Sequence, residues 1–300
     1  MQKIISYILI LLGSVLVIPS VIIFSGGYHD KNMVHAVSQN VVEIVEENNY
    51  FKEQMIGILA KEVSHTEHEE LIKANAVMIR TYLLRRQTGL STNVELVPLT
   101  TSAMQEIWQT NYNEIYNIYA QAIEDTQEHV IYYGDELIEP VYHVASSGST
   151  RSALSAYGIE VPYLQAVESM ADDKIITTIE YEVEEVVQIL KSYVSDIVIN
   201  GQYLDKQIQV VEVDKSGYIK QIQFGSALLD EESFKSAFNL PSSCVEISVK
   251  NNTLTFSVTG DGIGVGLSQN GASEYAKLGS TYKEILEYYY TDINIKNFSQ

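Results

Sequence analysis

The sequence predicts an α+β fold: an antiparallel sheet core with helices packed on it, preceded by one N-terminal transmembrane helix. Three observations carry this reading. Ile4 to Phe24 is an uncharged apolar run of about the 20 residues that a spanning helix needs. Two stretches, residues 71–82 and 107–123, repeat apolar residues at helical spacing. Between and after them lie period-2 stretches broken by glycine turns, the pattern of antiparallel hairpins.

The N-terminus sets the expected topology. Lys3 precedes the apolar run and no Lys or Arg follows until Lys31. This asymmetry places the start of the chain in the cytoplasm and everything after Phe24 outside. A cleaved signal peptide would carry a shorter apolar core and a small-x-small site, which Phe24 to Gly27 match only loosely. We therefore expect an anchor over 1–26, a juxtamembrane linker over 27–40 and an extracytoplasmic domain over 41–300, held at the cell membrane as a single-pass protein. The formal net charge of −20 excludes nucleic acid as a partner, because phosphate repulsion has nothing to offset it. Cys244 is the only cysteine, so no intrachain disulfide can form.

Within the domain, Val41 to Tyr50 fits either a strand or a helix start, and Met55 to Ala60 a helix. Glu62 to Tyr82 reads as a loop running into a helix. Ser64 and Thr66 are candidate N-caps, with Glu67 and Glu69 three residues on. Leu71, Ala74, Val77, Met78, Thr81 and Tyr82 form one buried face. Glu70 stands in the first turn at the edge of that face; the helix macrodipole alone accounts for acids there, and a cleft carboxylate is the sharper reading. Thr88 to Leu99 is a loop, and Ala103 to Glu128 a second long helix striped with Trp108, Tyr112, Tyr116 and Tyr119. Such a stripe reads first as core, although aromatic faces also stack on pyranose rings.

Val130 to His143 reads as a hairpin turning at Gly134 and Asp135. It delivers Tyr142, His143, Ser146 and Ser147, a polar cluster suited to hydrogen-bonding a sugar. Residues 172–250 form a packing layer: a strand near Thr178, a helix over 184–193, a hairpin around Gly217 and a helix over 231–238. A strand from Leu254 then enters Gly260, Gly262, Gly264 and Gly266, with a helix from about Ser268. Alternate glycines leave the backbone bare and permit positive φ. Their spacing is wrong for a dinucleotide fingerprint, and no βαβ unit follows.

Three blocks together resemble the stage II sporulation protein D family. Residues 57–63 (GILAKEV) and 70–82 (ELIKANAVMIRTY) are similar to its G-V-V-A-x-E-M-P and E-A-L-K-A-Q-A-V-A-A-R-T-Y, with the same spacing between the two glutamates. Tyr142 to Gly148 and Val161 to Ser169 resemble Y-H-S-x-S-G-G and V-P-Y-L-x-x-V-x-S. Residues 260–272 resemble the glycine block ending S-Q-x-G-A, and residues 282–293 the closing helix and strand.

The resemblance implies a central glycan cleft where the blocks meet, and a lytic transglycosylase acting on peptidoglycan strands stripped of peptides. Glu70 is its implied single acid/base. Glu62, the runner-up acid, would join Arg80, Tyr142, His143, Ser146, Ser147, Ser268 and Gln269 around the glycan. The resemblance also implies a sporulation amidase and a polytopic membrane protein as partners, at the septal membrane of a sporulating cell. No cofactor is expected. Some members of the family hold zinc through a C-x-D-x-x-H-C-Q stretch, but the matching positions here are Pro98, Ala103 and Met104, so no metal is expected. The glycine-block histidine is likewise replaced. A wall-binding protein without turnover, or an engulfment-complex scaffold protein, is the alternative the sequence leaves open.

Overall fold

The structure, a computed structural model, describes residues 49–90, 95–169, 172 and 175–298. The apolar run Ile4 to Phe24, the linker and residues 41–48 lie outside the described residues. Among the described residues no helix is long and apolar enough to cross a membrane. Residues 49–54 are helical, with the Gln54 amide donating to the Tyr50 hydroxyl at 3.1 Å; residues 55–300 form a separate compact unit.

That unit is α+β, as expected, but among the described residues its strands fall into four small sheets rather than one core sheet. Helix α1 (residues 55–62) leads into α2 (Glu69–Gln87). α2 is buried almost all round, with Leu71, Ala74, Val77, Met78, Thr81 and Tyr82 in the core together with Ile72, Ala76 and Ile79. It has no polar face because neighbours pack against it from several sides: α4 (Tyr112–Asp125), β1 (His129–Tyr133), α9 (Gln269–Lys277) and α10 (Tyr282–Tyr289). The expected caps are corrected. Ser64 and Thr66 bond each other at 2.9 Å, and the N-cap is His68, whose Nδ1 accepts from the Glu70 amide at 3.3 Å.

The second long helix is broken in two. α3 (Thr101–Trp108), capped by the Thr100 hydroxyl, ends at Gln109, which takes φ 49°; a single 3₁₀ turn then leads into α4. The hairpin turn at Gly134 and Asp135 is as expected, joining β1 to β2 (Glu136–Leu137), and the closing strand β11 (Asn294–Asn297) pairs on the other side of β1. Tyr142 and His143 belong to a separate strand, β3 (Tyr142–His143). It pairs in parallel with β10 (Leu267–Ser268), the parallel exception among the pairings of the four sheets.

The packing layer has its own core. β4 (Ile176–Glu182), β9 (Thr253–Thr259) and β8 (Val245–Lys250) form one antiparallel sheet; β5 (Ile208–Val213), β6 (Ile219–Phe224) and β7 (Ala227–Asp230) form another. Helices α6 (Val183–Tyr193) and α8 (Glu231–Ala237) bury Val183, Val186, Leu190 and Phe234 against them; α5 (Ala153–Tyr157) and the short α7 (Leu204–Gln207) complete the set. Phe224, Phe238 and Phe256 meet ring to ring at 5.0–5.4 Å. Each such side chain contributes about 1.5–3 kcal/mol by leaving water.

Candidate functional site

The two signature glutamates stand at opposite ends of the loop joining α1 to α2, and each has its own partners. Glu70 lies in the first turn of α2. Its Oε1 accepts from Lys73 Nζ at 2.9 Å, and its Oε2 from the Tyr282 backbone amide at 2.6 Å. That amide opens α10, where N–H groups have no partner within their own helix. Glu70 therefore satisfies the start of one helix from the start of another. Lys73 also lies near Glu69 and Asp125, at 3.7 and 3.6 Å; burial opposes its charge, but the Glu70 bond prevails and holds its pKa above the ordinary value. Glu67 binds the same loop to α9 by accepting from the Ser273 hydroxyl at 2.6 Å.

Glu62, at the end of α1, has a different surrounding. The Tyr142 hydroxyl donates to its Oε2 at 2.7 Å. Tyr142 in turn lines a pocket of about 180 Å³ together with Met78, Ile79, Tyr82, Leu96, Glu139, Pro140 and Val141. Burial, and then the Glu62 carboxylate, push the Tyr142 phenol far above its usual range, so it remains a neutral hydroxyl. The carbonyl of Val63, the next residue, accepts from the buried Tyr119 hydroxyl at 2.7 Å.

The glycine loop explains how Tyr142 is held. Gly260, Gly262, Gly264 and Gly266 all adopt positive φ. A side chain at Gly266 would collide with the Val141 carbonyl, and one at Gly262 with His143 Cβ. The bare backbone that the sequence offers is thus filled by the chain's own β3 segment. Tyr142 and His143 point to opposite sides of β3, as neighbours on a strand do. His143 is 5% exposed, with Nδ1 on the Val265 carbonyl at 3.0 Å and Nε2 buried without a partner. Burial holds its pKa down to about 4, so the ring is neutral near pH 7.

Of the other expected site residues, Arg80, Ser146 and Ser268 are buried and Ser147 and Gln269 half-buried. Ser146 is fully buried and donates to the Asp172 carboxylate at 2.7 Å. Ser147 donates to the Ser216 carbonyl at 2.9 Å, and Ser268 caps α9 by accepting from the Gly271 amide. Gln269 and Asn75 exchange amide bonds at 2.7 and 3.0 Å. Arg80, 4% exposed, donates to the carbonyls of Ile123 and His129 and to the Thr126 hydroxyl, joining the end of α4 to β1. Burial lowers its pKa to about 10. The structure thus brings Glu62 to Tyr142 and sets His143 opposite Ser268, while the partners shown for Arg80, Ser146 and Ser268 lie within the fold. At the zinc-motif positions, Met104 is buried and Pro98 packs on Gly57; neither they nor Ala103 offer a thiolate or imidazole, so a zinc ion does not fit there.

The sequence reading missed a buried charge network centred on Arg151, which is 0% exposed. Its guanidinium meets Asp214 at 2.6 Å and Glu231 at 2.7 and 3.0 Å, and donates to the Ile263 carbonyl in the glycine loop at 3.0 Å. Lys220 also reaches Glu231 at 2.9 Å, and the Tyr218 ring lies 4.3 Å below the guanidinium. The network ties the glycine loop to the packing layer. An arginine between a Ser/Thr run and a helix was its one sequence signal.

Comparison with known proteins agrees with the motifs. The family model described as SpoIID, stage II sporulation protein, matches residues 37–133, the part that holds Glu62, Glu70 and Arg80. The chain is 27% identical over 269 residues to stage II sporulation protein D of Bacillus subtilis (strain 168), covering 83% of this chain and 75% of that one. It is 25% identical over 264 residues to stage II sporulation protein D of Bacillus amyloliquefaciens, with the same coverage. It is also 24% identical over 296 residues to the amidase enhancer of Bacillus subtilis (strain 168), of which it spans 40%. The resemblance to stage II sporulation protein D is therefore borne out over most of the chain.

Proposed function

We propose that this protein is a membrane-anchored lytic transglycosylase acting on the cell wall during sporulation, and that Glu62, rather than Glu70, is its acid/base. The observation that carries the assignment is the Glu62–Tyr142 hydrogen bond beside the pocket. An acid/base must hold a proton at one stage and lack it at the next. A phenol donates to a carboxylate and, by rotating its O–H, accepts from a carboxylic acid. Tyr142 therefore serves Glu62 in both states. Glu70 faces an ammonium and a backbone amide, which only donate, so neither of these two groups can accept a hydrogen bond from a protonated Glu70.

The reaction then needs one carboxyl group. Protonated Glu62 gives its proton to the oxygen joining N-acetylmuramic acid to N-acetylglucosamine, and the C1–O bond breaks. The resulting carboxylate takes the proton from the C6 hydroxyl of the muramic acid ring as that oxygen bonds to C1. The product is a 1,6-anhydro ring and Glu62 regains its proton, with no water consumed. A hydrolase would instead need a second carboxylate to activate water or attack C1. Similarity to an amidase enhancer supports a working link to the amidase that strips stem peptides, and the apolar run Ile4 to Phe24 supports anchoring with the compact unit outside the cytoplasm.

The alternative, glycan binding without turnover, draws support from the departures from the family pattern, Pro98, Ala103 and Met104 at the zinc-motif positions and the replaced glycine-block histidine. The deciding experiment incubates the full-length chain with peptide-free glycan strands and identifies products by mass spectrometry. Anhydro ends that vanish in Glu62→Gln and persist in Glu70→Gln are the expected result. The reverse pattern would return the role to Glu70, reducing ends would mean hydrolysis, and binding without products would establish the alternative.

A further inference from the structure

We propose that the pocket beside Glu62 is a subsite for one peptide-stripped N-acetylmuramic acid ring, and that Arg86 binds the lactyl carboxylate which peptide removal exposes. This deepens the glycan reading above and rests on it. Met78, Ile79 and Tyr82 wall the pocket from α2, Leu96 from the loop after α2, and Val141 and Tyr142 from the segment entering β3. Two of these residues link the pocket to charged groups. Tyr142 donates to Glu62 at 2.7 Å, and Tyr82 accepts from Arg86 Nη1 at 3.3 Å. Met78, Tyr82 and Arg86 follow one another four residues apart on α2, so they lie along one face that leads from the pocket wall to an exposed guanidinium. Muramic acid carries its reacting centre on C1, the acetamido group on C2 and the lactyl ether on C3. A carboxyl group, an apolar pocket and a guanidinium stand here in the same succession, each joined to the next through a tyrosine.

The pocket suits the acetamido group in size and polarity. It encloses about 180 Å³, several times the ~30 Å³ share of one water, and so admits the four heavy atoms of that group. Met78, Ile79, Tyr82 and Leu96 are each at most 8% exposed, surroundings that favour a methyl group leaving water. A phenol has two acceptor positions and one proton. Tyr82 accepts from the Arg86 guanidinium and from the Leu96 amide at 3.0 Å, which leaves its O–H as the donor that an acetamide carbonyl needs.

Charge decides what meets the lactyl group. The chain has 39 acids against 19 Lys and Arg, and a stripped strand, with a carboxylate on every muramic acid ring, is repelled by such a field. Arg86 offsets that repulsion locally. Among the described residues its partner is the neutral Tyr82 phenol, with Cζ 5.7 Å from the ring centre, and no carboxylate. A guanidinium fork matches a carboxylate through two parallel N–H groups. With the stem peptide attached, the same carbon is a neutral amide and offers one oxygen. Glu139 also lines the pocket, on the segment entering β3, and its like charge directs the lactyl carboxylate towards the α2 wall.

The full-length Glu62→Gln chain, which on the reading above binds without turnover, would be titrated by calorimetry with peptide-free glycan strands. The same strands with their lactyl carboxylates converted to amides, and strands re-acylated as N-formyl in place of N-acetyl, would be titrated in parallel. Amidation should weaken binding about tenfold, the scale of one hydrogen bond to a charged group, and adding Arg86→Gln should remove that difference. Loss of the acetyl methyl should weaken binding about fourfold. Leu96→Phe, which narrows the pocket and whose fold circular dichroism would verify, should abolish the preference for acetyl over formyl. An amidation penalty that is absent, or that survives Arg86→Gln, would overturn the role of Arg86. Equal binding of acetyl and formyl strands, or a preference unaltered in Leu96→Phe, would overturn the occupant assigned to the pocket. Either result, with anhydro ends still formed by the unsubstituted chain, would leave the Glu62 reading standing. Absence of both binding and anhydro ends would overturn the two together.

Discussion

Replacing Arg151 with methionine tests whether the buried charge network holds the glycine loop in place. Methionine preserves bulk and removes the charge. The change leaves Asp214 with the Ser155 hydroxyl and two backbone amides, and Glu231 with Lys220 and Ser243. It leaves the Ile263 carbonyl without its guanidinium donor. Breaking a buried ion pair from one side costs about 3–5 kcal/mol, and the surviving partners of both carboxylates place this case near about 4 kcal/mol. For a domain of this size that corresponds to a fall in Tm of about 8–16 °C, read by circular dichroism. The acid side gives a second check. Burial pushes Glu231 upward, but hydrogen bonds from Arg151 and Lys220 prevail and hold its pKa below the ordinary 4.5. Its stabilisation is therefore present above pH 4.5 and lost as pH falls through the lower folded value; in Arg151→Met that loss should begin at higher pH. A stability change under about 1 kcal/mol, the range of a surface pair, would refute the structural role assigned to the network.

Three further outcomes follow from the same geometry. His143 has a folded pKa of about 4 against an ordinary 6.5, so the unfolded chain binds the extra proton first and stability falls by about 3 kcal/mol as pH drops from 6.5 to 4; urea titrations across that window should show a flatter slope in His143→Asn. Gly266→Ala places a methyl against the Val141 carbonyl at φ 76°, whereas Gly158→Ala, at φ 72° with open space around it, meets only the backbone penalty of about 1–2 kcal/mol; thermal unfolding should show Gly266→Ala costing severalfold more. Asn75→Ala and Gln269→Ala each orphan an amide and should cost about 1–3 kcal/mol, while the double variant should cost clearly less than their sum, since the second change removes a partner already lost.

How much of this was legible in the sequence varied with the distance between partners. Local features were: the helix through Leu71 to Tyr82, the Gly134 turn, the helix opening at Ser268 and the bare glycine loop all follow from spacing and residue type. The cap at His68 was not, because Ser64, Thr66 and His68 all qualify chemically and only the entry angle of the chain selects one. The break at Gln109 was invisible for a similar reason: periodicity survives across it, and no glycine or proline marks it. Arg151 meets acids 63 and 80 residues further on, and Asn75 meets an amide 194 residues away. Such pairings depend on the fold and leave no mark in local sequence.

The division between Glu62 and Glu70 belongs to that second class, and it shows what the three sequence blocks do for one another. Spacing alone makes the two glutamates equivalent, eight residues apart around one loop. The closing helix removes the equivalence by placing the Tyr282 amide on Glu70. The glycine loop completes the separation from the other side. Its bare backbone allows β10 to lie parallel to β3 at close range, with Leu267 opposite Tyr142 and Ser268 opposite His143. Alternation along β3 then turns His143 inward onto Val265 and Tyr142 outward onto Glu62. Glycines that suggest a ligand cradle in the sequence act instead as the clamp that aims a single phenol at a single carboxylate.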